Sequence, residues 1–159
     1  MLDWLFGGPL QVGSQAPPFA LTDENERTVT LKSLKGKPVV LVFYPGDETP
    51  VCTKQLNSYN NDLTEFEALD AQVLGISAQS VESHDKFSGK HGFKFPLLSD
   101  ADKAVAGAYG TLGPLGFPRR SVFIVDGGGT IRYAHRAIAG LTYRPVSELV
   151  TALKALPTA

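Results

Sequence analysis

With 159 residues, 43% of them hydrophobic and 19% charged, the chain has the composition of one soluble globular domain and is too short for two ordinary ones. Its 15 basic and 16 acidic residues leave a net charge of -1, which speaks against nucleic acid or an anionic membrane as partner. One cysteine excludes an intramolecular disulfide, and three histidines without clustered partners do not make a structural zinc site, so neither metal nor cofactor is expected.

Residues 1–12 read as an N-terminal tail and residues 13–159 as a single domain. The tail carries Trp4, Leu5 and Phe6 but no Lys or Arg before Arg27, so it lacks the basic n-region of a secretory signal, and a cytoplasmic location is the default expectation. Those three apolar residues are expected to dock on protein rather than lipid. Residues 13–21, with Pro17 and Pro18, form an extended lead-in, because proline excludes helix at and before its own position. A short strand follows at 28–31. The β-branched and aromatic run 38–44 is the pattern of a strand covered on both faces, hence the centre of a sheet.

Beyond it, Leu56, Tyr59, Leu63, Phe66 and Leu69 recur every three or four positions and predict one buried stripe on a helix that starts near residues 49–52. The next elements are a strand at 72–77, a helix at 80–91 capped by Ser80, a short strand at 95–98 and a short helix at 102–109. His84 and His91 lie about two turns apart, roughly 10 Å on one helix, too far to share a metal. Glycines and prolines make 110–118 a stiff loop; a strand at 120–125, a turn at 126–130 and a strand at 131–137 form a hairpin. An amphipathic helix at 145–156 ends the series. This alternation gives an α/β fold, a central mixed sheet flanked by helices on both faces, and the terminal hairpin plus helix resembles the thioredoxin-like arrangement.

Cys52 sits where the central strand gives way to the first long helix. A lone cysteine is commonly a small buried hydrophobe, but in the first turn of a helix the free N–H groups and the positive end of the dipole favour an anion, and the thiolate is the reactive form. Thr49 lies one turn before Cys52; its hydroxyl either meets the sulfur or simply caps the helix. Pro45 either shields the thiolate or merely ends the strand.

Pro45, Thr49 and Cys52 reproduce the P-x-x-x-T-x-x-C signature of the peroxiredoxins, preceded by the family-like Val42, Phe43, Tyr44 and Pro45. Nearly the whole chain resembles that family: residues 13–21 are similar to its opening and 120–126 to its arginine-bearing strand, and the match is nearest the bacterioferritin-comigratory or Q-type branch. The resemblance implies a peroxidase in which Cys52 attacks a peroxide oxygen and becomes a sulfenic acid. Thr49 and Arg120 are carried over as hydrogen-bond donors to the O–O unit, with the Cys52 N–H, and Arg120 also as the partner of the thiolate. Strand alternation lets only one of Arg119 and Arg120 face the sulfur, and Arg120 fits the family strand. Tyr44, Gln55 and Phe117 are further pocket candidates. Gln55 matches a family position for Glu or Gln, although an exposed helix residue reads equally well, and Phe117 with Leu115 would give an apolar wall for organic hydroperoxides or part of a dimer contact.

Many Q-type relatives have a resolving cysteine five residues after the reactive one, where this chain has Asn57. The expected chemistry is therefore a one-cysteine cycle, with the sulfenic acid reduced by an external thiol: thioredoxin, glutaredoxin or a low-molecular-weight thiol. A monomer or homodimer is expected. The alternative is a peroxide-sensing redox adaptor whose Cys52 oxidation alters partner binding. A disulfide reductase would need a second cysteine where Thr49 stands, and a cysteine hydrolase would need His135 against Cys52.

Overall fold

The computed structural model describes residues 10–113, 116, 118–137 and 143–156. In chain order the elements are β1 (Ala20–Asp23), β2 (Thr28–Thr30), a 3-10 turn (Lys32–Leu34), β3 (Val39–Phe43), α1 (Pro50–Asn61), α2 (Leu63–Glu67) and β4 (Gln72–Ser77). Then come α3 (Val81–His91), β5 (Leu97–Ser99), α4 (Ala104–Ala108), β6 (Ser121–Val125), β7 (Ile131–Arg136) and α5 (Val146–Lys154). The strands form one mixed sheet in the order β2-β1-β5-β4-β3-β6-β7. β3, β4 and β5 run parallel, and the remaining pairs are antiparallel.

β3 is buried at every position because side chains alternate across the sheet and both faces are covered. Val39, Leu41 and Phe43 pack with Leu74, Ile76, Tyr109 and Phe123 on the face covered by α4 and the N-terminal segment around Phe19. Val40, Val42 and Tyr44 pack on the other face with Cys52, Leu56 and Tyr59 of α1, Phe66 of α2, Phe87 of α3 and Leu149 of α5. The helices thus lie on both faces, as the alternation of elements predicts.

Four local readings change. The stripe from Leu56 to Phe66 is shared by two helices, since the chain breaks at Asp62, which leaves the α-region with φ -106° and ψ 20°, and Leu69 lies in the turn beyond the second. Hydrophobic spacing survives such a break, so periodicity cannot see it. β1 starts at the end of the stretch 13–21 that reads only as extended and runs on to Asp23, and it pairs with both β2 and β5. β5 begins at Leu97 rather than residue 95, and Arg120 stands one residue ahead of β6, with its carbonyl still accepting from the Ala137 N–H at 2.8 Å. Trp4, Leu5, Phe6, Leu115 and Phe117 lie outside the described residues.

Candidate active site

The parallel strand β3 delivers the chain to the end of the sheet from which α1 departs. Tyr44 still bonds to β4 through its N–H, which donates to the Ile76 carbonyl at 3.0 Å; Pro45 then leaves the sheet, half-buried. Glu48, with φ 65°, adopts the left-handed conformation that turns the chain into the helix. Thr49 is the N-cap and Pro50 the first helical residue, where a missing N–H costs nothing. Cys52 is therefore the third residue of α1, and its N–H is among those an α-helix leaves without an intrahelical acceptor.

The Cys52 side chain is fully buried, and Arg120 Nη1 donates to its Sγ at 3.2 Å. The register of β6 against β3 pairs Ser121 with Phe43, which brings Arg120 to the end of the sheet where α1 begins. Arg120 is 3% exposed and it is the one whose guanidinium meets the sulfur, whereas Arg119 is half-buried with its N–H on the Thr111 carbonyl. Gln55 is fully buried, not an exposed helix residue, and its Oε1 accepts from the same Arg120 Nη1 at 2.7 Å.

Thr49 and Tyr44 are placed differently from their simplest readings. Thr49 is exposed at the helix start and its hydroxyl donates to the Gly46 carbonyl at 3.3 Å; among the described residues no hydrogen bond joins it to Cys52. It caps the helix by position but not through its side chain. Tyr44 is fully buried, and its hydroxyl turns to Asp47 Oδ1 at 2.7 Å.

That bond belongs to a network that inspection of the sequence did not find. The Asp47 carboxylate also accepts from Ser83 Oγ at 2.6 Å and faces His84 Nδ1 at 2.8 Å. His84 Nε2 in turn faces the Leu98 carbonyl at 3.0 Å. Both ring nitrogens thus face oxygen atoms, which ties α3 to the Asp47 turn on one side and to β5 on the other. Burial works against the Asp47 charge, but the bonds from His84, Ser83 and Tyr44 win and hold its carboxyl below the ordinary value. Burial, and then Asp47, push the Tyr44 phenol well above its ordinary value. The signal available in the sequence was the place of His84, three residues before Phe87 on the inward stripe of α3, where a buried imidazole needs partners. His135 lies on β7 opposite Val122, and no histidine among the described residues bonds to Cys52.

Residues 12–134 match the AhpC/TSA family. The chain belongs to that family. It is 41% identical over 125 residues to the chloroplastic peroxiredoxin Q of Sedum lineare, covering 77% of this chain and 67% of that one. Among solved structures, it superimposes on the peroxidoxin BcpB of Mycobacterium tuberculosis with a TM-score of 0.84 at 30% identity, over 94% of this chain and 99% of that one. It also matches the bacterioferritin comigratory protein of Xanthomonas campestris, a protein with alkyl peroxide reduction activity, with a TM-score of 0.77 at 35% identity. That likeness covers 86% of this chain and 90% of the other. The fold is accordingly thioredoxin-like, and this AhpC/TSA chain falls in the Q-type branch of the peroxiredoxins, thiol-dependent peroxidases that take a peroxide and a thiol reductant.

Proposed function

We propose that the chain reduces hydrogen peroxide and organic hydroperoxides by a one-cysteine cycle at Cys52. The observation that carries this reading is the 3.2 Å contact between the fully buried Cys52 sulfur and the guanidinium of Arg120. A permanently charged group in the interior needs negative charge beside it, and the thiolate supplies that charge. The thiolate attacks one peroxide oxygen: the S–O bond forms as the O–O bond breaks, and sulfur is oxidised by two electrons. The other oxygen leaves as water or an alcohol after taking a proton. Charge grows on that leaving oxygen, so donors fixed before the reaction lower the barrier, and Arg120 is held for this by Gln55 Oε1. Thr49 has committed its hydroxyl proton to Gly46, which leaves its lone pairs to receive the O–H of the peroxide at the exposed end of the site.

The sulfenic acid then meets an external thiol, forming a mixed disulfide and releasing water; a second thiol frees Cys52 as the thiol dimerises to its disulfide. The chain has no second cysteine to resolve the sulfenic acid, so the reductant is an external thiol, whether thioredoxin, glutaredoxin or a low-molecular-weight thiol. Cys52, Thr49, Gln55 and Arg120 all come from one chain, which suits a monomer or homodimer. A single free thiol suits a reducing compartment, and the cytoplasm is our reading. The alkyl peroxide reduction of the Xanthomonas relative supports organic hydroperoxides as substrates.

The test is peroxide consumption with a panel of thiol reductants by wild type and Cys52→Ser, with mass spectrometry of Cys52 after one equivalent of oxidant. Sulfenic acid and repeated turnover are expected for wild type and neither for the variant. A single stoichiometric oxidation with no turnover on any thiol would support the redox adaptor instead.

A further inference from the structure

We propose that Tyr59 is a positioning residue for the reactive centre: by accepting from the Gln55 amide it holds Gln55 Oε1 on Arg120. The inference rests on the peroxidase reading of Cys52. Arginine carries only donors, so the Gln55 atom 2.7 Å from Arg120 Nη1 must be the oxygen. The amide NH2 then points the other way, where Nε2 meets Tyr59 Oη at 3.1 Å. Tyr59 can accept there because its own hydrogen goes to the Arg144 carbonyl at 2.9 Å. The donors thus all run in one direction, from Arg120 through Gln55 and Tyr59 to the main chain just ahead of α5.

Every alternative orientation of this chain faces a donor with a donor or an acceptor with an acceptor. Gln55 and Tyr59 are fully buried, so no solvent repairs a broken link. Phe66 and Tyr143 stand edge-on to the Tyr59 ring, each with centroids 6.2 Å away, and fix where the hydroxyl lies. Burial pushes the phenol up to about 12, so it keeps its proton over the working range of the enzyme. Loss of the hydroxyl would leave the buried NH2 without an acceptor and draw the Gln55 side chain off Arg120.

The test compares Tyr59→Phe in the wild-type and Gln55→Glu backgrounds. A carboxylate has no NH2 to satisfy and presents an oxygen to Arg120 whichever way it turns. The readout is the second-order rate constant for hydrogen peroxide, from competition with a haem peroxidase for limiting peroxide, which needs no knowledge of the reductant. An unmade buried hydrogen bond predicts a loss of about tenfold for Tyr59→Phe in the wild-type background and under about twofold in the Gln55→Glu background. Equal losses in both backgrounds would mark Tyr59 as packing alone and overturn the proposal, as would no loss in the first. Should the double variant not fold, Tyr59→Phe in the Arg120→Ala background decides: a further loss under about twofold is expected, because the guanidinium that Tyr59 helps to position is then absent, and a larger further loss overturns the proposal. A wild-type protein that fails to compete for peroxide sinks the peroxidase reading itself, and this inference with it.

Discussion

Replacing Asp47 by alanine should cost the protein a large part of its stability. The Asp47 side chain is 1% exposed, and its carboxylate gathers Tyr44 Oη, Ser83 Oγ and His84 Nδ1, at 2.7, 2.6 and 2.8 Å. Ser83 is half-buried and can turn to water, but Tyr44 and His84 are fully buried and cannot. Removing one partner of a buried charged pair costs roughly 3–5 kcal/mol, against a total of about 5–15 kcal/mol for a whole domain. At this chain length that lowers Tm by roughly 6–20 °C. Asp47→Asn should cost only about 1–2 kcal/mol, because the amide oxygen still accepts from Tyr44 while its NH2 can donate to the Ser83 hydroxyl oxygen. The assay is urea unfolding of the three proteins at pH 7. A loss below about 1 kcal/mol for alanine, or an equal loss for asparagine, would refute the reasoning. The pH dependence has a definite sign. Because the folded carboxyl is held below its ordinary value, the stability it contributes is present in full above the unfolded value of about 3.9 and is lost as pH falls through the lower folded one. The carboxyl's contribution to the difference between wild type and Asp47→Asn should therefore close as pH falls below about 4.

Arg120→Ala removes the donor at 3.2 Å from the sulfur, and the second-order rate constant for peroxide should fall by about 10²–10³, measured by competition; a fall of less than tenfold would count against its role. Gly75→Ala would place a Cβ 2.7 Å from Leu97 Cδ2 and 3.3 Å from the Tyr44 ring, both in fully buried side chains, and should cost roughly 1–3 kcal/mol in denaturant unfolding. Asn57→Cys restores a thiol five residues after Cys52 on the same helix, about 7.5 Å along its axis, too far for a disulfide in an intact helix. Peroxide treatment should close the 52–57 disulfide only with a loss of far-UV helical signal, and a disulfide with unchanged helicity would contradict this.

The sequence by itself determined the central strand, the helix start at Cys52 and the terminal hairpin, because each is a local property. A continuous β-branched and aromatic run is the pattern of a strand covered on both faces, and the apolar stripe beyond Cys52 places a helix start near residues 49–52. It also pointed to Arg120, through strand alternation and the family pattern. The break at Asp62 escaped, because side-chain spacing continues across it while the backbone does not. The tertiary structure alone decided what surrounds the sulfur. Arg120 and Gln55 are 65 residues apart, and Asp47 and His84 are 37 apart. Whether such pairs meet depends on strand register and helix docking, which no local pattern encodes. For the same reason Tyr59, legible in the sequence only as one apolar position in a stripe, shows its hydroxyl between Gln55 and Arg144 only once α1 and the segment ahead of α5 are packed together.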